Sequence, residues 1–219
     1  MNIKINMNFK VGKVVKFFVL SDLALLAGWG LVEPVVSIFI IEKIQGATLT
    51  TVGISAAAYW LLRSILQLPI ANFLDRNKGE NDDFRVLISG LLIAALSAFI
   101  FTIIEKPWQL YLNQIVHAFA FALYVPAWSG IFSRHLDKDR MAFDWSLDST
   151  AIGLAMGVSG LVSGVIASWF GFNAIFILAA IFSMIAALIL IMAPGLILPK
   201  KTSEEQQILK DHSSINIQV

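Results

Sequence analysis

Six stretches of mainly apolar residues, 17–41, 50–73, 85–104, 108–132, 148–170 and 173–193, take up most of this 219-residue chain. Each holds 20 to 25 residues. At about 1.5 Å of rise per residue, that is the length needed to cross a hydrocarbon core of about 30 Å. Lipid cannot hydrogen-bond an exposed backbone, so each crossing must be a helix or part of a closed barrel. Leu91 to Ile104 and Ala174 to Ala193 are apolar on every face, without the alternation of barrel strands. An all-α membrane protein with six transmembrane helices follows. Composition agrees: 58% of residues are hydrophobic and 14% charged, against about 45–50% and about 25% in soluble domains.

The absence of cysteine excludes disulfides and thiolate metal ligation. A net charge of +1 lacks the basic field that nucleic acid requires. No His, Asp and Glu group has metal-ligand spacing, so neither metal nor other cofactor is expected. The lipid bilayer is the first expected partner.

The breaks between spans are polar or contain glycine or proline. Gln45-Gly46 follows span one, Glu105-Lys106-Pro107 precedes span four, and only Gly171-Phe172 separates spans five and six. Trp108, Trp128 and Trp169 fall near span ends, where amphipathic rings favour the interface. With the N-terminus inside, 13 of the 16 lysines and arginines lie on the inner side. The outer loops hold Lys43 and Lys106, and Arg63 lies within span two. This asymmetry places both termini in the cytoplasm and the protein in the cell's inner membrane. The expected organisation is a basic segment 1–16, a six-helix domain 17–193 and a polar tail 194–219. The basic start and long apolar run read as a first span, not a cleaved signal.

Spans one and four share a spacing: Asp22 precedes Pro34 by 12 residues, as Gln114 precedes Pro126. Ala71 to Asn77 can also be laid over Ala167 to Asn173 at the ends of spans two and five. Offsets of 92 and 96 point to a three-plus-three repeat. An odd number of spans per unit makes the second unit inverted, as in many transporters.

Between spans two and three runs Leu74-Asp75-Arg76-Asn77-Lys78-Gly79. This resembles the cytoplasmic signature of the major facilitator superfamily, roughly G-x-L-x-D-R-x-G-R-[RK]. Trp169 to Asn173 also resembles that family's turn between helices five and six. The resemblance spans about 17–193 and implies one six-helix half of a twelve-helix transporter. It implies a cytoplasmic gating motif at Asp75, Arg76 and Gly79, joined by Arg140 and Asp144. Ala71 and Phe73 stand where the signature has glycine and leucine, and Glu80, Asp82 and Asp83 replace its basic pair. Gln114 stands where the family often carries a proton-coupling arginine.

Ionisable groups inside spans are costly, and are functional candidates. Asp22, Glu33, Arg63 and His117 stand out, with Asn113 and Gln114 beside them. Glu33 lies about 12 Å and His117 about 14 Å from the outer span ends, one shared layer. Arg63 is about 20 Å down, within reach by snorkelling. One reading gathers these groups in a central cavity around a polar substrate. The other pairs Glu33 with Arg63 only to hold helices together, with His117 bonded to a carbonyl. Arg140, Asp144 and Asp148 equally fit a solvated ion network. On span five, Gly153, Gly157, Gly160 and Gly164 form a small-residue face for close packing, within the bundle or at a dimer seam.

An intramembrane serine protease is the enzymatic alternative, given Gly157-Val158-Ser159-Gly160. Span six has no histidine to serve as base, so no enzyme is expected. The favoured function is secondary transport of a small solute by a homodimer or with a second transporter half. The alternatives are a non-transporting membrane module that binds a partner chain or lipid, and a truncated transporter half.

Overall fold

A computed structural model describes residues 11–76 and 80–192; Gly79 and the segments 1–10 and 193–219 lie outside the described residues. The described chain is helical, with no strand. Its elements are α1 (Lys13–Val32), α2 (Val36–Lys43), α3 (Leu49–Arg76), α4 (Glu80–Ile100), α5 (Pro107–Arg134), α6 (Met141–Phe170) and α7 (Phe172–Ile191). A 3-10 turn, Phe101–Ile103, ends the third crossing. Six helical stretches are long and apolar enough to cross a membrane.

Four departures from the sequence reading have physical causes. The first span is broken at Glu33–Val35, because Pro34 lacks an amide hydrogen and its ring crowds the carbonyl one turn back. Helix α1 also begins at Lys13, inside the expected basic segment, since lysine can bury its stem and keep its head in water. The fifth span starts at Met141, not 148: Asp144 and Asp148 are buried helical residues, so the helix starts before the apolar run does. Trp128 does not sit at an interface. It is 6% exposed and packs among Phe18, Phe132 and Trp145, while Trp108 and Trp169 are well exposed.

The packing obeys the inverted repeat. Helix α1 lies on α6 and α7, α5 lies on α3 and α4, and α4 meets α7. Exchanging the first three crossings with the last three maps this set onto itself. The register is the offset of 92. A Cβ on Gly28 would stand 2.8 Å from the Phe182 Cβ. A Cβ on Gly90 would stand 2.9 Å from the Ala120 carbonyl oxygen. Adding 92 to Gly28 and Gly90 gives Ala120 and Phe182, the same contact with the glycine on the other helix. Ser21 and Asn113 are likewise 92 apart. Ser21 Oγ donates to the Ala186 carbonyl (3.0 Å) and Asn113 Nδ2 to the Ser97 carbonyl (3.2 Å).

Both loop expectations have structural counterparts. Gly171 alone joins α6 to α7 with φ 80°, a backbone that side chains resist. At the start of α5, Gln109 Oε1 accepts from the amides of Glu105 (2.8 Å) and Lys106 (2.9 Å). The end of the bundle at the α6–α7 turn closes on Phe39, Phe101, Phe172 and Phe176.

Helices α3 and α6 are by far the least buried of the six crossings. Residues Asp144, Asp148, Ala155, Ser159 and Ser163 form the buried stripe of α6. At about 100° per residue, Gly153, Gly157, Gly160 and Gly164 fall on the opposite face. Nothing lies within 4 Å of a Cβ built on Gly153, Gly157 or Gly164, and only Pro34 approaches Gly160. Packing of that glycine face within the bundle is therefore corrected: the serine stripe packs inward instead, with Ser163 Oγ donating to the Leu31 carbonyl.

The glycine contacts yield a prediction. Gly28→Ala and Gly90→Ala should each lower stability by about 1–3 kcal/mol through overpacking. Gly53→Ala, with open space around its Cβ, should not. Thermal unfolding of the detergent-solubilised protein checks this ordering.

Candidate functional site

Helix α1 is packed tightly against α7 at Gly28, and this sets where the next residue, Trp29, stands. The Trp29 ring stacks on His117 of α5, with centroids 4.0 Å apart and planes 10° apart. Tyr59 of α3 stacks on the same imidazole at 4.4 Å and 26°. Two flat rings that close to one centroid cannot share a face, so His117 is sandwiched. Phe121, one turn along α5, meets its edge at 5.1 Å. His117 Nδ1 lies 3.4 Å from Gln114 Oε1, a marginal bond, and not against a carbonyl of the backbone. Its Nε2 is buried and has no hydrogen-bond partner among the described residues.

Arg63 lies one turn beyond Tyr59 and donates to the Tyr59 hydroxyl at 2.9 Å. Its guanidinium carbon stands 5.8, 5.1 and 5.6 Å from the ring centroids of Tyr59, Trp60 and Phe121, in cation–π range. Glu33, freed by the break at Pro34, faces the same space. None of the ion pairs among the described residues includes Arg63 or Glu33. The expected Glu33–Arg63 pair is absent there, because tyrosine and aromatic faces hold the guanidinium instead.

These groups line one cleft of about 340 Å³ between α1, α3, α5 and α6. Glu33, Arg63, Gln114 and His117 are thus brought together. Asn113 is not among them, being turned toward the Ser97 carbonyl of α4. Asp22 is also elsewhere, buried and accepting a hydrogen bond from the Tyr124 hydroxyl. Asp148 of α6 lies within electrostatic reach of both, and its Oδ1 is buried without a hydrogen-bond partner among the described residues.

At the end of the bundle that carries the sequence signature, Asp75 and Arg76 are exposed in the last turn of α3. Arg140 caps α6 with its guanidinium over the Phe143 ring, and Asp144 accepts from the Asp137 amide (3.0 Å). Arg134 of α5 bridges Glu80 (2.9 Å) and Asp83 of α4, and His135 stands 3.8 Å from Glu80.

Sequence reasoning missed the aromatic walls and the Asp22–Tyr124–Asp148 group. A signal was available. Trp29 precedes Glu33 by four residues, Tyr59 precedes Arg63 by four, and Phe121 follows His117 by four. Each is on the same helix face as the charge it serves.

Removing the hydroxyl of Tyr124 should leave a buried Asp22 oxygen unpaired. Tyr124→Phe should cost about 1–3 kcal/mol in the parent and clearly less in an Asp22→Ala background. A double-mutant cycle of unfolding measures the coupling; equal costs in both backgrounds contradict it.

None of the curated proteins compared with the chain shows a significant similarity. The family model described as Major Facilitator Superfamily matches residues 18–215, which takes in the six transmembrane helices except the first turn of α1, and nearly the whole chain. With six apolar helices in an inverted three-plus-three bundle, this is an integral membrane protein of transporter type, and the chain belongs to the Major Facilitator Superfamily.

Proposed function

We propose that this bundle is one half of a secondary transporter. It takes a small polar solute into the cleft beside Arg63, Glu33 and His117. A second six-helix bundle, supplied by a second copy of the chain, closes over it in the cell's inner membrane with both termini cytoplasmic. The observation that carries this reading is the composition of the cleft wall. Tyr59, Trp60 and Arg63 come from α3 and Met156 from α6, the two helices left least buried. The cleft therefore lies at the bare side of the bundle, where a second bundle has a surface to meet.

These two helices also expose apolar side chains on faces turned away from the cleft. Leu61, Ile65 and Leu68 of α3 and Leu161 of α6 are each at least 65% exposed. The open glycines of α6 let another helix come close, as small residues do in membranes. Gln114 has no charge, so coupling through an arginine at this position is not part of the proposal.

The chain has no native cysteine, so single cysteines report contacts cleanly. Gly157→Cys should cross-link two copies in native membranes, and Leu96→Cys, on the outer face of α4, should not. Proteoliposomes holding the protein should accumulate a solute that Arg63→Ala proteoliposomes do not. A monomer that forms no cross-link contradicts the dimer. A cross-linked dimer without uptake favours the membrane module that binds a partner chain.

A further inference from the structure

We propose that the cleft selects a small zwitterion: a molecule that carries a carboxylate or similar anion, an ammonium and a short apolar body. The proposal rests on the cleft being the solute site and adds the chemical class of the solute.

The charges carry the inference. Arg63 and Glu33 line the same cleft, yet neither has an ion-pair partner among the described residues. An ionisable group within a membrane span is costly unless matched. The guanidinium is fixed by the Tyr59 hydroxyl and three ring faces, so it is positioned in advance rather than free to swing toward Glu33. Glu33 stands at the helix break beside Pro34. Two opposite charges that line one cleft without pairing match a solute that carries both signs. A lone anion would pair with Arg63 but face Glu33. A lone cation would pair with Glu33 but face Arg63. A neutral solute would leave both unmatched.

The remaining walls describe the apolar body of the solute. Leu26, Val32, Val36, Ala56 and Met156 are apolar, and Trp29 and Phe121 add flat faces. Polar groups other than the two charges are few. Gln114 is an uncharged hydrogen-bonding group in the wall. A cleft of about 340 Å³ lies at the small end of ligand sites. An apolar α-amino acid has the right charges, body and size.

Binding of L-leucine, isocaproate, isopentylamine and a neutral hexose to the purified full chain tests this, read through the fluorescence of Trp29 and Trp60. Isocaproate lacks the amine and isopentylamine lacks the carboxylate. Leucine should bind, with each singly charged analogue weaker by at least about tenfold and the hexose undetected. Arg63→Gln should abolish the preference over isopentylamine, and Glu33→Gln the preference over isocaproate. Arg63→Lys, which keeps the charge, should retain part of the preference and shows that loss is not misfolding. Binding of isocaproate, isopentylamine or hexose as tight as leucine, still weakened by Arg63→Gln, overturns the zwitterion while leaving the cleft as the solute site. Leucine binding that neither Arg63→Gln nor Glu33→Gln alters, or no binding by any of the four, overturns the zwitterion as well.

Discussion

Inside a bilayer a helix gains nothing by hiding apolar side chains from lipid, so close van der Waals contact must hold the bundle together. In this chain the closest approaches are Gly28 against α7 and Gly90 against α5. They are one contact, written twice by the repeat. Each draws one helix from the first unit onto one from the second. Between them they fix α1 and α5 at the centre, and what those helices carry inward becomes the site. Trp29, the residue after Gly28, reaches the His117 ring only because α1 is held in this position.

The repeat also shows where symmetry was given up. Pro34 and Pro126 are equivalent, yet α5 runs unbroken through Pro126 while the first crossing breaks at Pro34. The break lies beside Glu33, so one unit presents a carboxylate to the cleft where the other has Val125. Asp22 and Gln114 are equivalent too. Asp22 is bonded to Tyr124 and buried, whereas Gln114 turns toward His117 in the cleft. The two halves of the bundle thus share a scaffold and differ in polar chemistry. The differences, not the shared contacts, place the charges.

Much of this was legible from residues alone, for reasons that can be named. Span number and the inverted repeat depend on apolar length and on paired polar and proline positions, which a linear sequence displays directly. Depth arithmetic brought Glu33, Arg63 and His117 to a common region because helical rise is uniform. It could not show rotation about the helix axis, which turned Asn113 toward Ser97 and Gln114 into the cleft. Nor could it separate the two faces of α6. The glycines were visible as a stripe, but only three-dimensional packing shows that the serine stripe faces inward and the glycine stripe outward. Aromatic walls escaped because tryptophan, tyrosine and phenylalanine are ordinary in any apolar span. Their meaning comes from standing one turn away from a charge.

The central claim is that the space between α1, α3, α5 and α6 belongs to an aqueous solute and not to lipid. Labelling of single cysteines by a charged, membrane-impermeant thiol reagent measures this directly, since the chain has no cysteine of its own. Ala56 lines the cleft and Leu96 lies on the outer face of α4. In native membranes, Ala56→Cys should react readily and Leu96→Cys should not. An unreactive cysteine at position 56, or equal labelling at both positions, would contradict the account.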